Sequence, residues 1–213
     1  MTIRVRLSIA LKWLIIFLAL SGVAVSIWTS KTWYARLNMF SFYTIQSNLL
    51  AAGAMAMSLS TLHKGRQEPR WFVIFKGGTL LWIMVTGIVF QLLLADKWHP
   101  QGLSIYINLS MHYAAPVAVL LNWLVFEKKG QYKLIHAFYW LTYPLLYCLG
   151  SLVRGALTGF YPYFFINHVA PPPDGMGSYP AMLGMVGILV LAFTILGGLI
   201  TLADQRMGRS KPR

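Results

Sequence analysis

His112 lies about two helical turns inside a stretch, residues 104–126, that contains no Asp, Glu, Lys or Arg. An ionisable side chain in so apolar a segment is costly to bury, which makes it a functional-site residue by default. Pro116 follows one turn later. Proline has no N–H, and its ring crowds the carbonyl four residues back, here that of His112, so the spacing predicts a kink at the histidine. Potential partners recur at helical spacing. Thr44, Ser47 and Asn48 share one helix face, and Asn108, His112 and Pro116 share another. Tyr143, Tyr147, Ser151 and Arg154 form a third stripe, and Gln91 sits one turn from the end of its segment. At ~1.5 Å per residue, Thr44 is ~7 Å and His112 ~10 Å below the start of its own segment, so hydroxyl and imidazole fall at a similar depth.

Three uses of these groups are open. A hydroxyl beside an imidazole is a nucleophile with its base. The same groups can line a pocket for a lipid, a small molecule or a transported solute. They can also hold helices together, Ser and Thr bonding to their own backbone and Asn and Gln across helices. Absences narrow the chemistry. Glu68, Asp96, Glu127, Asp174 and Asp204 all fall at segment ends or in connections, which disfavours a carboxylate proton relay and a two-carboxylate hydrolase. No H-E-x-x-H, zinc-spaced Cys/His cluster, P-loop, G-x-S-x-G or G-x-G-x-x-G pattern occurs. No metal or cofactor is therefore expected. A haem would need two histidines at one depth on different helices, and His112 and His136 belong to opposite halves of their segments.

The elements that must position these residues are membrane helices. The chain has 213 residues, 57% hydrophobic and only 11% charged, with mean hydropathy +0.61, whereas soluble domains are about 25% charged. Hydropathy predicts an all-α polytopic protein with six spans, at about 7–28, 39–62, 71–95, 104–126, 134–154 and 179–203, in a single transmembrane domain over residues 1–213. The connection at 155–178 is Pro-rich and too short for a soluble domain. Its aromatic part, Phe160 to Ile166, reads as an interfacial belt or a cap over the bundle. Cys148 is the lone cysteine, so no intrachain disulfide forms.

The net charge of +13 is distributed by topology. Arg4, Arg6 and Lys12 open the first span, and Lys64, Arg66 and Arg70 precede the third. Lys128, Lys129 and Lys133 precede the fifth, and Arg206, Arg209, Lys211 and Arg213 close the chain. Alternate connections are basic, as the positive-inside rule requires with both termini cytoplasmic. The expected partners are membrane lipids, not nucleic acid, and the expected location is the cell membrane.

Three segments carry a resemblance to a known family. Phe40-Ser-Phe-Tyr-Thr-Ile-Gln-Ser-Asn48, Asn108-Leu-Ser-Met-His-Tyr-Ala-Ala-Pro116 and Thr158-Gly-Phe-Tyr-Pro-Tyr-Phe-Phe-Ile-Asn-His168 occur in that order. Together the chain resembles the androgen-induced-gene and androgen-dependent TFPI-regulating protein family, and more closely its bacterial six-span relatives. The resemblance implies an integral-membrane threonine hydrolase acting on substrates like fatty acid esters of hydroxy fatty acids. It implies Thr44 as nucleophile and His112 as general base. Asn48, one turn from Thr44 on the same face, is then the expected oxyanion donor. Ser47, Gln91, Asn108 and Tyr147 are expected to line the substrate site, and Arg154 to pair with a substrate carboxylate or phosphate. The rival expectation is a non-catalytic lipid or small-molecule binder, or a transporter.

Overall fold

The computed structural model describes residues 2–209. The basic residues Lys211 and Arg213 lie outside them. The described residues form helices and connecting turns, with no strand. Four helices are long and apolar enough to cross a membrane: Ile3–Thr29, Arg70–Lys97, Leu103–Phe126 and Tyr179–Arg209.

The chain divides into two compact units, one running to Tyr132 and taking in residues 204–209, the other covering Lys133–Ala203. In the first, α1 (Ile3–Thr29) is followed by a short helix α2 (Trp33–Met39). Thr32 caps α2 by accepting the Ala35 N–H at 3.1 Å. Helix α3 (Tyr43–His63) begins after the turn at 40–42, later than hydropathy suggests. It is long enough to span but carries Thr44, Gln46, Ser47 and Asn48 in its first turns and Ser58, Ser60 and Thr61 in its last, which dilutes its apolar character. Helix α4 (Arg70–Val89) starts behind Pro69 and continues through a wide π-helical turn, Phe90–Leu94, and a tight turn, Ala95–Lys97.

The fourth expected span is one continuous rod of three parts. Helix α5 (Leu103–Asn108) passes into a π-helical turn, Leu109–Ala114, and then α6 (Ala115–Phe126). The predicted kink at His112 takes this form: Ala115 N–H reaches back five residues to Ser110 O. Helix α1 packs on α3, α5 and α6, and α4 packs on α3 and α6. Small side chains at Ala19, Ala51, Ala52 and Ala54 are buried where these helices meet, allowing the close approach typical of membrane bundles.

Charges that the sequence places at segment edges converge at the end of the first unit away from Thr44. Lys76 Nζ is ion-paired with Glu127 and with Glu68, the latter at 2.6 Å. Lys12 Nζ lies 3.6 Å from Glu127 and donates to Asn122 Oδ1 at 3.0 Å and Ser8 Oγ at 2.8 Å. Asn122 Nδ2 donates to Glu127 Oε1 and Ser58 Oγ to Glu68 Oε1. Burial opposes the charge on Glu127, but the Lys76 and Lys12 ammoniums, with the bonds from Lys76 and Asn122, hold its carboxyl below the usual range. Nearby, the Gln131 and Tyr132 amides donate to the fully buried Asp204 carboxylate at 2.6 and 2.8 Å.

The second unit holds α7 (Leu134–Trp140), α8 (Thr142–Thr158) and most of α9 (Tyr179–Arg209). The fifth expected span is thus broken at Leu141. The reason is Pro144, which has no N–H for the Trp140 carbonyl. Helix α8 runs on to Thr158 and ends at Gly159, whose φ of 73° is left-handed and whose N–H closes on Gly155 O at 2.8 Å. The aromatic connection folds within this unit. Phe164–Ile166 make a short helical turn with Phe165 and Ile166 buried, and Tyr163 stacks on Phe165 at 5.0 Å.

Candidate functional site

The π-helical turn of the fourth apolar segment sets His112 against the first turn of α3. His112 Nε2 lies 3.2 Å from Thr44 Oγ1, and its Nδ1 lies 3.0 Å from Asn108 Oδ1. An amide oxygen only accepts, so Nδ1 carries the proton and donates it to Asn108. That tautomer leaves the Nε2 lone pair facing the threonine, whose hydroxyl donates to it. The arrangement is hydroxyl, imidazole and amide in series, with no carboxylate among the three.

Aromatic rings hold the imidazole in place. Phe90, in the π-helical turn after α4, stacks on His112 at 3.9 Å and 18°. Trp98 approaches it edge-on at 5.9 Å. Only 8% of His112 is exposed, while Thr44 is half-buried, so the histidine is enclosed and the hydroxyl is reachable. Both wide turns thus serve one ring, one carrying it and the other supplying the aromatic face beneath it. Such turns recur at functional sites because they re-aim side chains without ending the helix.

The site depends on one close backbone approach. The His112 carbonyl, which Pro116 cannot bond, faces Gly87 of α4. A Cβ at Gly87 would lie 2.7 Å from that oxygen and 3.6 Å from the Pro116 ring. Neither neighbour is a flexible side-chain end, so Gly87→Ala must push the two helices apart. The expected cost is ~1–3 kcal/mol, read as a lower midpoint of thermal unfolding in detergent.

The other residues singled out in the sequence are placed as follows. Asn48 is fully buried and spends Nδ2 on two backbone carbonyls, Thr44 O at 2.9 Å and Met111 O at 3.2 Å. Its donors are therefore not available to an oxyanion; the residue ties α3 to the His112 turn. Ser47 bonds Thr86 Oγ1 of α4 at 2.7 Å and its own helix at Thr44 O, a helix-to-helix contact. Gln91 Oε1 accepts the Tyr113 hydroxyl at 2.7 Å, and its amide nitrogen makes no bond among the described residues. Asn108 likewise keeps its Nδ2 free while its oxygen orients the histidine. Tyr147 and Arg154 belong to the second unit. There Tyr147 lies 6.5 Å from the Tyr163 ring, and the Arg154 guanidinium covers Phe160 at 4.7 Å.

Asn108, expected to line the substrate site, bonds the imidazole from one turn away, and that spacing is the sequence signal for its orienting position. Phe90 and Trp98 carried no signal, since aromatic residues near segment ends are ordinary. Among the described residues no group of three or more His, Cys, Asp or Glu could hold a metal ion. No family model, curated protein or solved structure matches the chain.

Proposed function

We propose that this protein is an integral-membrane hydrolase of lipid esters, with Thr44 as nucleophile and His112 as general base. The observation that carries the reading is the 3.2 Å approach of Thr44 Oγ1 to His112 Nε2, with Asn108 fixing the ring from the other side. The order of nucleophile, base and orienting group is that of the hydrolytic triads, with an amide in the third place as in Cys-His-Asn enzymes. In the first half-reaction the Thr44 oxygen bonds the acyl carbonyl carbon while its proton passes to His112 Nε2. Collapse of the tetrahedral intermediate breaks the ester C–O bond, and His112 returns the proton to the departing alkoxide. Water then attacks the acyl-threonine, again giving a proton to His112, and releases the fatty acid with Thr44 restored. Asn48 spends its amide donors on backbone carbonyls, whereas those of Asn108 and Gln91 are uncommitted among the described residues.

The wider reading is a bacterial six-span relative of the androgen-induced-gene and androgen-dependent TFPI-regulating proteins, cleaving substrates like fatty acid esters of hydroxy fatty acids. Helix α3 and the α7–α8 pair supply the two crossings beyond the four apolar helices. Both termini face the cytoplasm and the Thr44 site faces the other leaflet of the cell membrane, as the basic connections favour.

The test is a fluorophosphonate probe applied to the protein in native membranes, with the adduct located by mass spectrometry. One adduct is expected, on Thr44, and none in Thr44→Ala. An unlabelled wild type that also leaves a panel of lipid esters intact would overturn the hydrolase reading. Solute uptake into proteoliposomes that survives Thr44→Ala would replace it with the transporter.

A further inference from the structure

A second polar site lies in the first unit at the other end of α3. Thr44 and Ser58 are 14 positions apart on one helix, ~21 Å along its axis. There a cavity of about 280 Å³ is walled by Arg4, Ser8, Lys12, Ser58, Arg66 and Glu68 among others. The four inner charges balance: Lys12 and Lys76 against Glu68 and Glu127. The two guanidiniums do not balance. Arg66 makes no side-chain hydrogen bond or ion pair among the described residues, and Arg4 spends one N–H on Val125 O at 2.7 Å. The cavity is therefore lined by two uncompensated positive charges whose guanidinium N–H groups are the donors that recognise a phosphate.

Its neighbour is of opposite character. An apolar groove of about 680 Å³ runs between α1 and α3, walled by Val5, Ile9, Trp13, Ala56 and Leu59. Val5 and Leu62 line both spaces. A cationic pocket opening beside an apolar groove matches a molecule that is anionic at one end and hydrocarbon at the other. Basic pockets between membrane helices bind anionic lipid headgroups on these terms. We infer that this end of the first unit is a specific site for one anionic phospholipid, with the phosphate between Arg4 and Arg66 and one acyl chain along Ile9, Trp13 and Leu59. The inference is independent of Thr44 chemistry and holds whether or not the chain hydrolyses esters.

The test uses the full chain in nanodiscs of phosphatidylcholine, with phosphatidylglycerol titrated in and bound lipid counted by native mass spectrometry. One phosphatidylglycerol is expected to remain bound in preference to phosphatidylcholine. Arg4→Gln and Arg66→Gln should each weaken that retention at least ~fivefold, losing a charge-assisted contact. Ala56→Phe, at an exposed position of the groove, should weaken it while leaving the arginines intact. Arg70→Gln, a nearby basic residue that does not line the cavity, should leave it unchanged. Equal retention of both lipids, or equal loss in Arg70→Gln, would reduce the site to diffuse surface charge and overturn the inference. Thermal protection by inorganic phosphate alone as strong as that by the lipid would make it an ion site and overturn it too. Unfolding midpoints of all variants, measured without added phosphatidylglycerol, separate lost binding from lost fold.

Discussion

Thr44→Ala is expected to lower lipid-ester hydrolysis by ~10⁴-fold or more, and His112→Ala by a similar factor. The double variant should be no worse than either single one. In the proposed mechanism the two groups act as a unit: without the hydroxyl there is no acyl acceptor, and without the imidazole the hydroxyl keeps its proton. Thr44→Ala should cost little stability, because it trims a half-buried side chain and leaves the α3 backbone bonds in place, whereas His112→Ala also removes the buried ring that stacks on Phe90 and bonds Asn108 and should lower the unfolding midpoint as well. Asn108→Ala should have a smaller effect, on the order of tenfold to a hundredfold. It releases the proton on Nδ1 to move to Nε2, which misdirects the ring without deleting it, so the pH–rate profile should shift while the fluorophosphonate adduct remains on Thr44. Rates measured on purified protein with a long-chain ester, beside unfolding midpoints, check all three. Undiminished turnover in Thr44→Ala would remove the nucleophile and with it the mechanism.

The largest expected effect on stability lies at the opposite end of α3. Lys76→Met should cost ~3–5 kcal/mol. The ammonium is only 5% exposed and neutralises Glu127 and Glu68 together, so its loss leaves Glu68 without an ion-pair partner and Glu127 with only Lys12 at 3.6 Å. Glu127→Gln should cost ~3 kcal/mol, since it deprives Lys76 and Lys12 of a shared partner. The double variant should recover part of the Lys76→Met loss, because one of the stranded charges is gone. The sign with pH follows from the depressed Glu127 carboxyl. Its stabilisation is complete above the ordinary carboxylate pKa, ~4.3, and is lost as pH falls through the lower folded value. Wild-type protein should lose unfolding midpoint in acid, and Glu127→Gln should show a shallower acid dependence. Thermal unfolding in detergent across that range, with the four proteins side by side, measures both the coupling and its pH dependence. Additive single effects, or an identical acid slope in Glu127→Gln, would mean that these charges do not act as one network.

Local pattern and long-range packing divided the information in this protein. The helices, the shared face of Asn108, His112 and Pro116, and the disturbance at His112 were legible in the chain, because periodicity and a missing proline N–H act within a few residues. So was the break in the fifth apolar segment, since Pro144 lacks an N–H just as Pro116 does. The partner of each polar group was not legible. Asn48 and Asn108 are both amides, one turn from Thr44 and His112 respectively, yet Asn48 is consumed by Met111 O and Thr44 O while Asn108 reaches the imidazole. Lys12, Glu68 and Glu127 read as edge charges, and only folding brings them around Lys76.

By itself the sequence determined that the chain is helical, with segments long and apolar enough to cross a membrane, and which hydroxyls, amides and imidazoles each helix carries on one face. Only the tertiary structure decided that Thr44 meets His112, that two wide helical turns and Gly87 permit it, and that Phe90 lies beneath the ring. Helical periodicity sets direction about a single axis and depth to within a turn or so. A hydrogen bond needs the separation and rotation of two axes to a fraction of an ångström, and those come from how the side chains of several helices pack together.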